Sequence, residues 1–349
     1  MIQKNLEDID PNYLSRPNGN FFGLPYTIEE ANIVFLPVPW DVTTSYQAGA
    51  ADGPKAILDA SLQVEWYDHH CPDAWKIGHG TIPIDANIRE KNKQIRSVAK
   101  SIIEYQYYEG NYQDEAIQNE LKIVNDACID LNNWVYTQSK QLLHQNKLIG
   151  VIGGDHSVPL GLMKALEEIH NNYGILQIDA HADLRQAYEG FTYSHASIMS
   201  NALELDGITN LVQIGIRDIC EEELTQATND PRISIFHDWQ LKTNTYQGIS
   251  WDKQCQEIIA KLPEKVYISF DIDGLDPRFC PHTGTPVPGG LDFSQAVYLI
   301  QCLVAANKTI IGFDLSEVAP GLTDQWDGNV GARLLYKLSN FMYVSQKQI

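Results

Sequence analysis

Positive charge is scarce in these 349 residues: 25 Lys and Arg stand against 45 Asp and Glu, a formal net charge of −20. A chain this acidic is a poor match for nucleic acid or an anionic membrane. It suits a cationic small molecule or a divalent metal. Paired cysteines are missing too. The six cysteines, at 71, 128, 220, 255, 280 and 302, are scattered with no CxxC. That fits reduced thiols in a cytoplasm and not a disulfide framework. No apolar run approaches the roughly 18 residues of a membrane helix. The opening MIQKNLEDID holds no apolar core of a secretory signal, so the reading expects a cytoplasmic protein. Pro- or Gly/Ser-rich linkers and internal repeats are also lacking, and residues 1–349 read as one domain.

What is present is an alternation of strands and helices. Apolar runs recur at 33–38, 148–154, 173–179, 211–216, 233–236, 266–273 and 310–318. Several are apolar throughout, as in parallel strands covered on both faces. Helical patterns fit between them at 157–170, 252–262, 294–305 and 332–343. The expected fold is α/β, a mainly parallel sheet between helices. Residues from about 86 to 146 depart from this rhythm. They are rich in Lys, Glu, Gln and Asn, with Ile, Leu and Val at helical spacing. Two or three helices are expected there as an elaboration, with YYEGNYQDE as a turn.

The stretch LQIDAHADLR, residues 176–185, drives Asp179, His181 and Asp183 into the end of a buried strand. Strand residues two apart share a face, so these three would form one row if the strand continues that far. Buried carboxylates are costly unless they are paired or hold a metal. The row contains no Lys or Arg, and Arg185 could pair with one carboxylate but not obviously with both. Oxygen and imidazole donors without thiolate suit manganese, and zinc or nickel less exclusively.

Three other segments carry similar chemistry at predicted strand ends. GVIGGDHSVPLG brings His156, YISFDIDGLDP brings Asp271 and Asp273, and GFDLSEVAPG brings Glu317. Ligand sites of open α/β sheets lie at the carboxyl ends of the strands. Six candidate ligands, His156, Asp179, His181, Asp183, Asp271 and Asp273, are too many for one ordinary ion. They suit a carboxylate-bridged pair roughly 3.5–4 Å apart.

At these motifs the sequence resembles the ureohydrolase family of arginases, agmatinases and their relatives. GGDHS (153–157), DAHADLR (179–185) and SFDIDGLDP (269–277) match its signatures. TGTPVPGG (283–290), SEVAP (316–320) and PVPWDVTTSYQAGAADGPKAI (37–57) follow the same pattern. The resemblance covers about 31–70 and 148–345. It implies a three-layer α/β/α fold, shared in outline with zinc-dependent deacetylases, and two Mn2+ per chain, with Ni2+ as the other candidate. His156 and Asp183 would bind one ion, His181 and Asp273 the other, and Asp179 and Asp271 would bridge. A hydroxide formed from water between the ions would attack a guanidinium carbon, releasing urea and an amine. The implied catalytic residues are His195, Glu317 and Asp183. His195 would pass protons to the leaving amine, Glu317 would orient the guanidinium, and Thr285 would lie beside the substrate. A trimer or hexamer is the expected assembly.

The resemblance also ranks substrates. The segment EGFTYSHAS (189–197) lacks the Ser-Gly-Asn pattern of arginases, and His195 is missing from most formimidoylglutamases. Agmatine, giving putrescine for polyamine synthesis, is therefore favoured. Guanidinobutyrate, arginine, formimidoylglutamate and guanidine follow. A non-catalytic binding protein of the same fold is the rival of a different class. Arg185 reads as a salt-bridge or supporting residue before a substrate contact. His282 reads as a loop histidine before a mouth residue, His69 and His70 as surface residues, and Tyr105, Tyr107 and Tyr108 as helix packing.

Overall fold

The computed structural model describes residues 10–12, 15–109 and 114–347. In chain order the main elements are β1 (Ile33–Val38), α1 (Gly53–Ser61), β2 (His79–Thr81), α2 (Ala86–Glu109), α3 (Glu115–Leu143), β3 (Leu148–Gly153), α4 (Leu160–Glu167) and β4 (Tyr173–Ile178). They continue with α5 (Ile198–Ala202), β5 (Ile208–Ile216), α6 (Glu221–Asn229), β6 (Ile233–His237), α7 (Asp238–Tyr246) and α8 (Trp251–Ile259). The last four are β7 (Lys265–Asp271), α9 (Phe293–Ala305), β8 (Thr309–Ser316) and α10 (Trp326–Gln346).

Among the described residues, eight strands form one sheet in the order β2-β1-β3-β8-β7-β4-β5-β6, and each of these pairings is parallel. Parallel strands need covered faces, and their sequences say so: β1, β4 and β8 are buried at every position. Helices α1, α8, α9 and α10 pack in series against one another, and α2, α3 and α4 do likewise, giving the helical layers that flank the sheet.

Helix ends follow local chemistry. Asp114 caps α3, its side chain accepting from the Ala116 amide. Asp292 and Gln295 form a reciprocal capping box on α9. Along α3, Ile117, Leu121, Val124, Cys128, Leu131 and Val135 are buried at helical spacing. The elaboration at 86–146 is therefore two long helices, and residues 110–113 of the expected turn lie outside the described residues.

Some expectations need correcting. Strand β4 stops at Ile178, so Asp179, His181 and Asp183 do not form a strand row. Asp179 turns the chain instead: its Oδ1 accepts from the His181 amide at 2.7 Å. The helix expected from Ser157 spans only Leu160–Glu167, because Asp155 holds the Ser157 amide and hydroxyl in a tight turn. Strand β2 and helices α1, α5, α6 and α7 were not expected. The three residues of β2, HGT, carry no apolar pattern to read. No helix among the described residues is long and apolar enough to cross a membrane.

Candidate metal centre

Four adjacent strands in the middle of the sheet, β3, β8, β7 and β4, deliver the candidate residues at their carboxyl ends. After β3 the chain passes so close to β1 that a Cβ on Gly154 would lie 1.8 Å from the Trp40 carbonyl oxygen. Glycine is required there, and it leads directly into His156. After β7, Asp271 accepts from the Asp273 amide at 2.8 Å, turning Asp273 off the strand. Asp273 in turn accepts from the Ala180 amide at 3.0 Å, tying the β7 and β4 ends together. Asp183 and Glu317 both take left-handed backbone conformations, with φ of 54° and 62°. Non-glycine residues rarely do so, and such strain gathers at functional positions.

All six candidate ligands converge. His156 Nδ1 lies 2.9 Å from Asp183 Oδ2, 3.0 Å from Asp179 Oδ2 and 3.5 Å from Asp271 Oδ2. His181 Nδ1 lies 3.2 Å from Asp273 Oδ2 and 3.6 Å from Asp179 Oδ1. Two clusters result, His156–Asp179–Asp183 and His181–Asp179–Asp273, each with donor atoms within 4.8 Å of one another. Asp179 belongs to both, one oxygen facing each imidazole.

The electrostatics of this arrangement call for cations. Burial and like-charge crowding push Asp183 up to about 7 and raise Asp271 and Glu317 well above the usual carboxylate range. Burial opposes ionisation of Asp179 as well, but the neighbouring imidazoles of His156 and His181 win and hold it below its ordinary value. Burial would lower the pKa of His156 and His181, yet their carboxylate neighbours raise both. His156 Nδ1 is fully buried without a well-formed hydrogen bond. A divalent ion at each cluster would take the imidazole lone pair and neutralise the carboxylates. The donor set fits that role.

A second set of residues, missed in the sequence, fixes the far side of His156. Its Nε2 lies 2.8 Å from Ser269 Oγ, and the Ser269 hydroxyl donates to Asp314 Oδ1 at 2.8 Å. Tyr267 and Ser316 also donate to Asp314, each at 2.9 Å. With its one proton committed to Asp314, Ser269 can only accept from His156. The ring proton therefore sits on Nε2, and Nδ1 is left for an ion. Ser269, Tyr267, Asp314 and Ser316 were visible in the sequence as polar residues inside otherwise apolar strands, the one signal that could have found them.

The centre opens into a cavity of about 170 Å³ lined by His156, His181, Asp183, Asp271, His195, Thr285 and Glu317. Glu317 Oε1 accepts from the His156 amide at 2.9 Å, while Oε2 is buried with no partner among the described residues. Thr285 Oγ1 lies 3.4 Å from Asp273 Oδ2. Burial, followed by the nearby positive charge of His181, pushes the His195 imidazole down to about 3.

Arg185, Tyr188 and Asp218 form the more exposed part of the lining. Arg185 stacks on Tyr188 and lies 3.8 Å from the buried Glu223, so it is a paired residue. His282 pairs with Asp327 at 2.7 Å, and with Asp324 it forms a third His/Asp group outside this cavity. Among the described residues, His69 and His70 join no ligand cluster. Tyr107 and Tyr108 are exposed and stack edge to face at 5.1 Å, so they do not pack the helix as expected.

Two clusters of His and Asp sharing one carboxylate, above the carboxyl ends of a parallel sheet, are candidate sites for metal ions. The chain belongs to the Arginase family, whose family model matches residues 31–339. It is similar to the N(1)-aminopropylagmatine ureohydrolase of Synechocystis sp., at 30% identity over 91% of this chain and 92% of the relative. It is similar to the enzyme of the same name from Thermus thermophilus, at 32% identity over 85% of each chain. Among solved structures, the agmatine ureohydrolase of Thermoplasma volcanium superposes with a TM-score of 0.72 and 25% identity. That match covers 95% of this chain and 97% of the other.

Proposed function

We propose that this chain, acting as one catalytic unit, is a dimanganese ureohydrolase that cleaves agmatine to urea and putrescine. The observation that carries the reading is Glu317 Oε2, a buried acceptor without a partner, lining the same cavity as the His/Asp clusters and His195. A planar guanidinium offers paired N–H donors that match such a carboxylate.

His156, Asp183, Asp179 and Asp271 would hold one ion, and His181, Asp273, Asp179 and Asp271 the other. The ions, when bound, supply a nucleophile from water at neutral pH. The protein does the rest. Glu317 orients the guanidinium. Thr285 fixes the Asp273 side of the cavity. His195, inside the lining, would take up a proton released by the attacking water and pass it to the departing amine. Asp183 completes the catalytic set beside His156. The buried floor of the cavity limits water around these charges and strengthens their interactions.

Agmatine is favoured because EGFTYSHAS offers no Ser-Gly-Asn pattern to hold an α-amino acid end. A second reading, N(1)-aminopropylagmatine, draws on the relatives that bear that name and on Asp218. This carboxylate of the cavity lining is 70% exposed and could meet the extra ammonium. We further propose a place in polyamine supply, in the cytoplasm, as a trimer or hexamer, with Ni2+ as the alternative ion. Urea release after manganese or nickel loading, measured side by side on agmatine, N(1)-aminopropylagmatine, guanidinobutyrate and arginine, tests the reading. Urea from an amine-ended substrate supports it. No urea from any substrate with either metal would leave a binding protein as the better account.

A further inference from the structure

We propose that the α2–α3 pair is a positioning device for His195, acting through Thr43 on one side and Asn125 on the other. The proposal rests on the reading of His195 as proton carrier.

His195 ends a segment, residues 186–195, that holds unusual backbone. Ala187 and Glu189 have φ of 48° and 55°, and Gly190 has φ of 83°. Left-handed residues other than glycine persist only where their surroundings over-determine them. The surroundings here are α2 and α3. Gln106, on α2, donates to the Glu189 carbonyl at 3.1 Å. Asn125, on α3, clamps both sides of the bend: its Nδ2 donates to the Gly190 carbonyl at 3.0 Å, and its Oδ1 accepts from the Thr192 amide at 2.8 Å. A Cβ on Gly190 would lie 2.8 Å from Leu121, so α3 backs directly onto the bend.

Helix α2 also holds His195 from the far side, through the loop that carries Thr43. The His195 amide donates to Thr43 Oγ1 at 3.1 Å. The Thr43 hydroxyl is fully buried and points its proton at Asp155 Oδ2, 3.4 Å away. Asp155 is the residue before His156, so Thr43 joins the His195 segment to the β3 end of the candidate centre. The loop carrying Thr43 is itself pinned by α2. Asn92 and the Asp41 residue exchange two hydrogen bonds, at 2.7 and 2.9 Å, and Arg96 donates to the Val42 carbonyl at 3.0 Å. Asn92 and Arg96 are four residues apart, so they project from one face of α2.

Neither Thr43 nor Asn125 is placed to touch the reacting atoms. Both are positioning residues. Their effect is on where the His195 ring sits, and a misplacement of about 1 Å at a reacting group costs up to about a hundredfold in rate.

The test uses the metal-loaded full chain with Asn125→Ala, Thr43→Val and Thr43→Ser. We expect kcat to fall about 10- to 100-fold in the first two, with KM within about threefold and metal content unchanged. Thr43→Ser, which keeps the hydroxyl, restores most of the loss. On a His195→Ala background, Asn125→Ala and Thr43→Val cost nothing further, because the residue they position is gone. Hydrogen exchange reads the contacts without turnover: the Thr192 amide loses protection in Asn125→Ala and the His195 amide in Thr43→Val.

Wild-type kcat in both variants, or an equal loss with and without His195, overturns the proposal. So does unchanged amide protection. If His195→Ala itself keeps wild-type kcat, the reading of the site has failed and the proposal falls with it. Intact protection changes would then still show that the clamp exists without a catalytic purpose.

Discussion

His156 and His79 are both sealed from solvent, yet their surroundings drive them in opposite directions. His156 sits among carboxylates, which raise its pKa despite burial, and its far nitrogen is held through Ser269 and Asp314. His79, on β2 near the sheet edge, is packed among rings. It stacks on Phe35 and meets Phe22 and Tyr336 edge-on or tilted. Neither of its ring nitrogens has a partner, and burial alone pushes it down to about 3. Burial by itself therefore makes a neutral packing residue. Burial among carboxylates, with the far nitrogen held, makes a candidate ligand. His181 lies between the two cases, with a side chain 23% exposed and Asp218 3.9 Å from its Nε2.

The largest expected effect comes from removing a shared carboxylate. Asp271→Ala should lose bound metal and urea release together, by at least about a thousandfold in rate, the scale of several kcal/mol of charge stabilisation. Metal analysis beside turnover checks this, and retained activity would end the two-ion account. Next comes the support behind His156. Asp314→Asn should weaken metal affinity or activity by about 10- to 100-fold, as other outer carboxylates behind ligating histidines do. The corresponding change on the open side, Asp218→Asn, should cost no more than about tenfold, because solvent can replace that partner. Equal losses in the two variants would erase the distinction drawn between the deep and open imidazoles.

The smallest effect on activity belongs to His79→Phe, which should leave turnover unchanged and alter only the pH dependence of stability. The sign follows from the lowered pKa. The unfolded histidine, near 6.5, takes a proton more readily than the folded one, near 3. Stability is thus complete above 6.5 and is lost as pH falls towards 3. At pH 5 the loss attributable to His79 is about 2 kcal/mol relative to neutral pH. Denaturant midpoints from pH 7 to 5 should fall less steeply in His79→Phe than in the wild type. Parallel curves would mean that His79 finds a proton partner after all.

How much of this was legible in the chain depended on whether a residue announces its partners locally. The six candidate ligands and Glu317 stood in short motifs at the ends of apolar runs, His195 and Thr285 in motifs outside them, and the runs themselves marked seven of the eight described strands. The local geometry was read less well. Asp179, His181 and Asp183 suggested a strand row by period two, but side-chain capping by Asp179 ended the strand first. Ser269 meets His156 across 113 residues and Asp314 across 45, and Thr43 meets Asp155 across 112, and spacing in one sequence carries no trace of such pairings. Asn125 looked like one more polar residue on an amphipathic helix. Only the fold brings it against Gly190.

Gathering Asp179, Asp183, Asp271, Asp273 and Glu317 into one buried region has a consequence for folding itself. In the unfolded chain these carboxylates separate and hydrate. Folding without cations brings them together at a cost that the raised values of Asp183, Asp271 and Glu317 express. An ion that binds only the folded chain repays that cost by mass action, about 2.7 kcal/mol at a hundredfold excess over its Kd. The melting temperature should therefore climb with free manganese and drop under chelation. With the proposed ions bound, their supply would govern the abundance of folded protein as well as its rate, and a metal-starved cell would lose both at once.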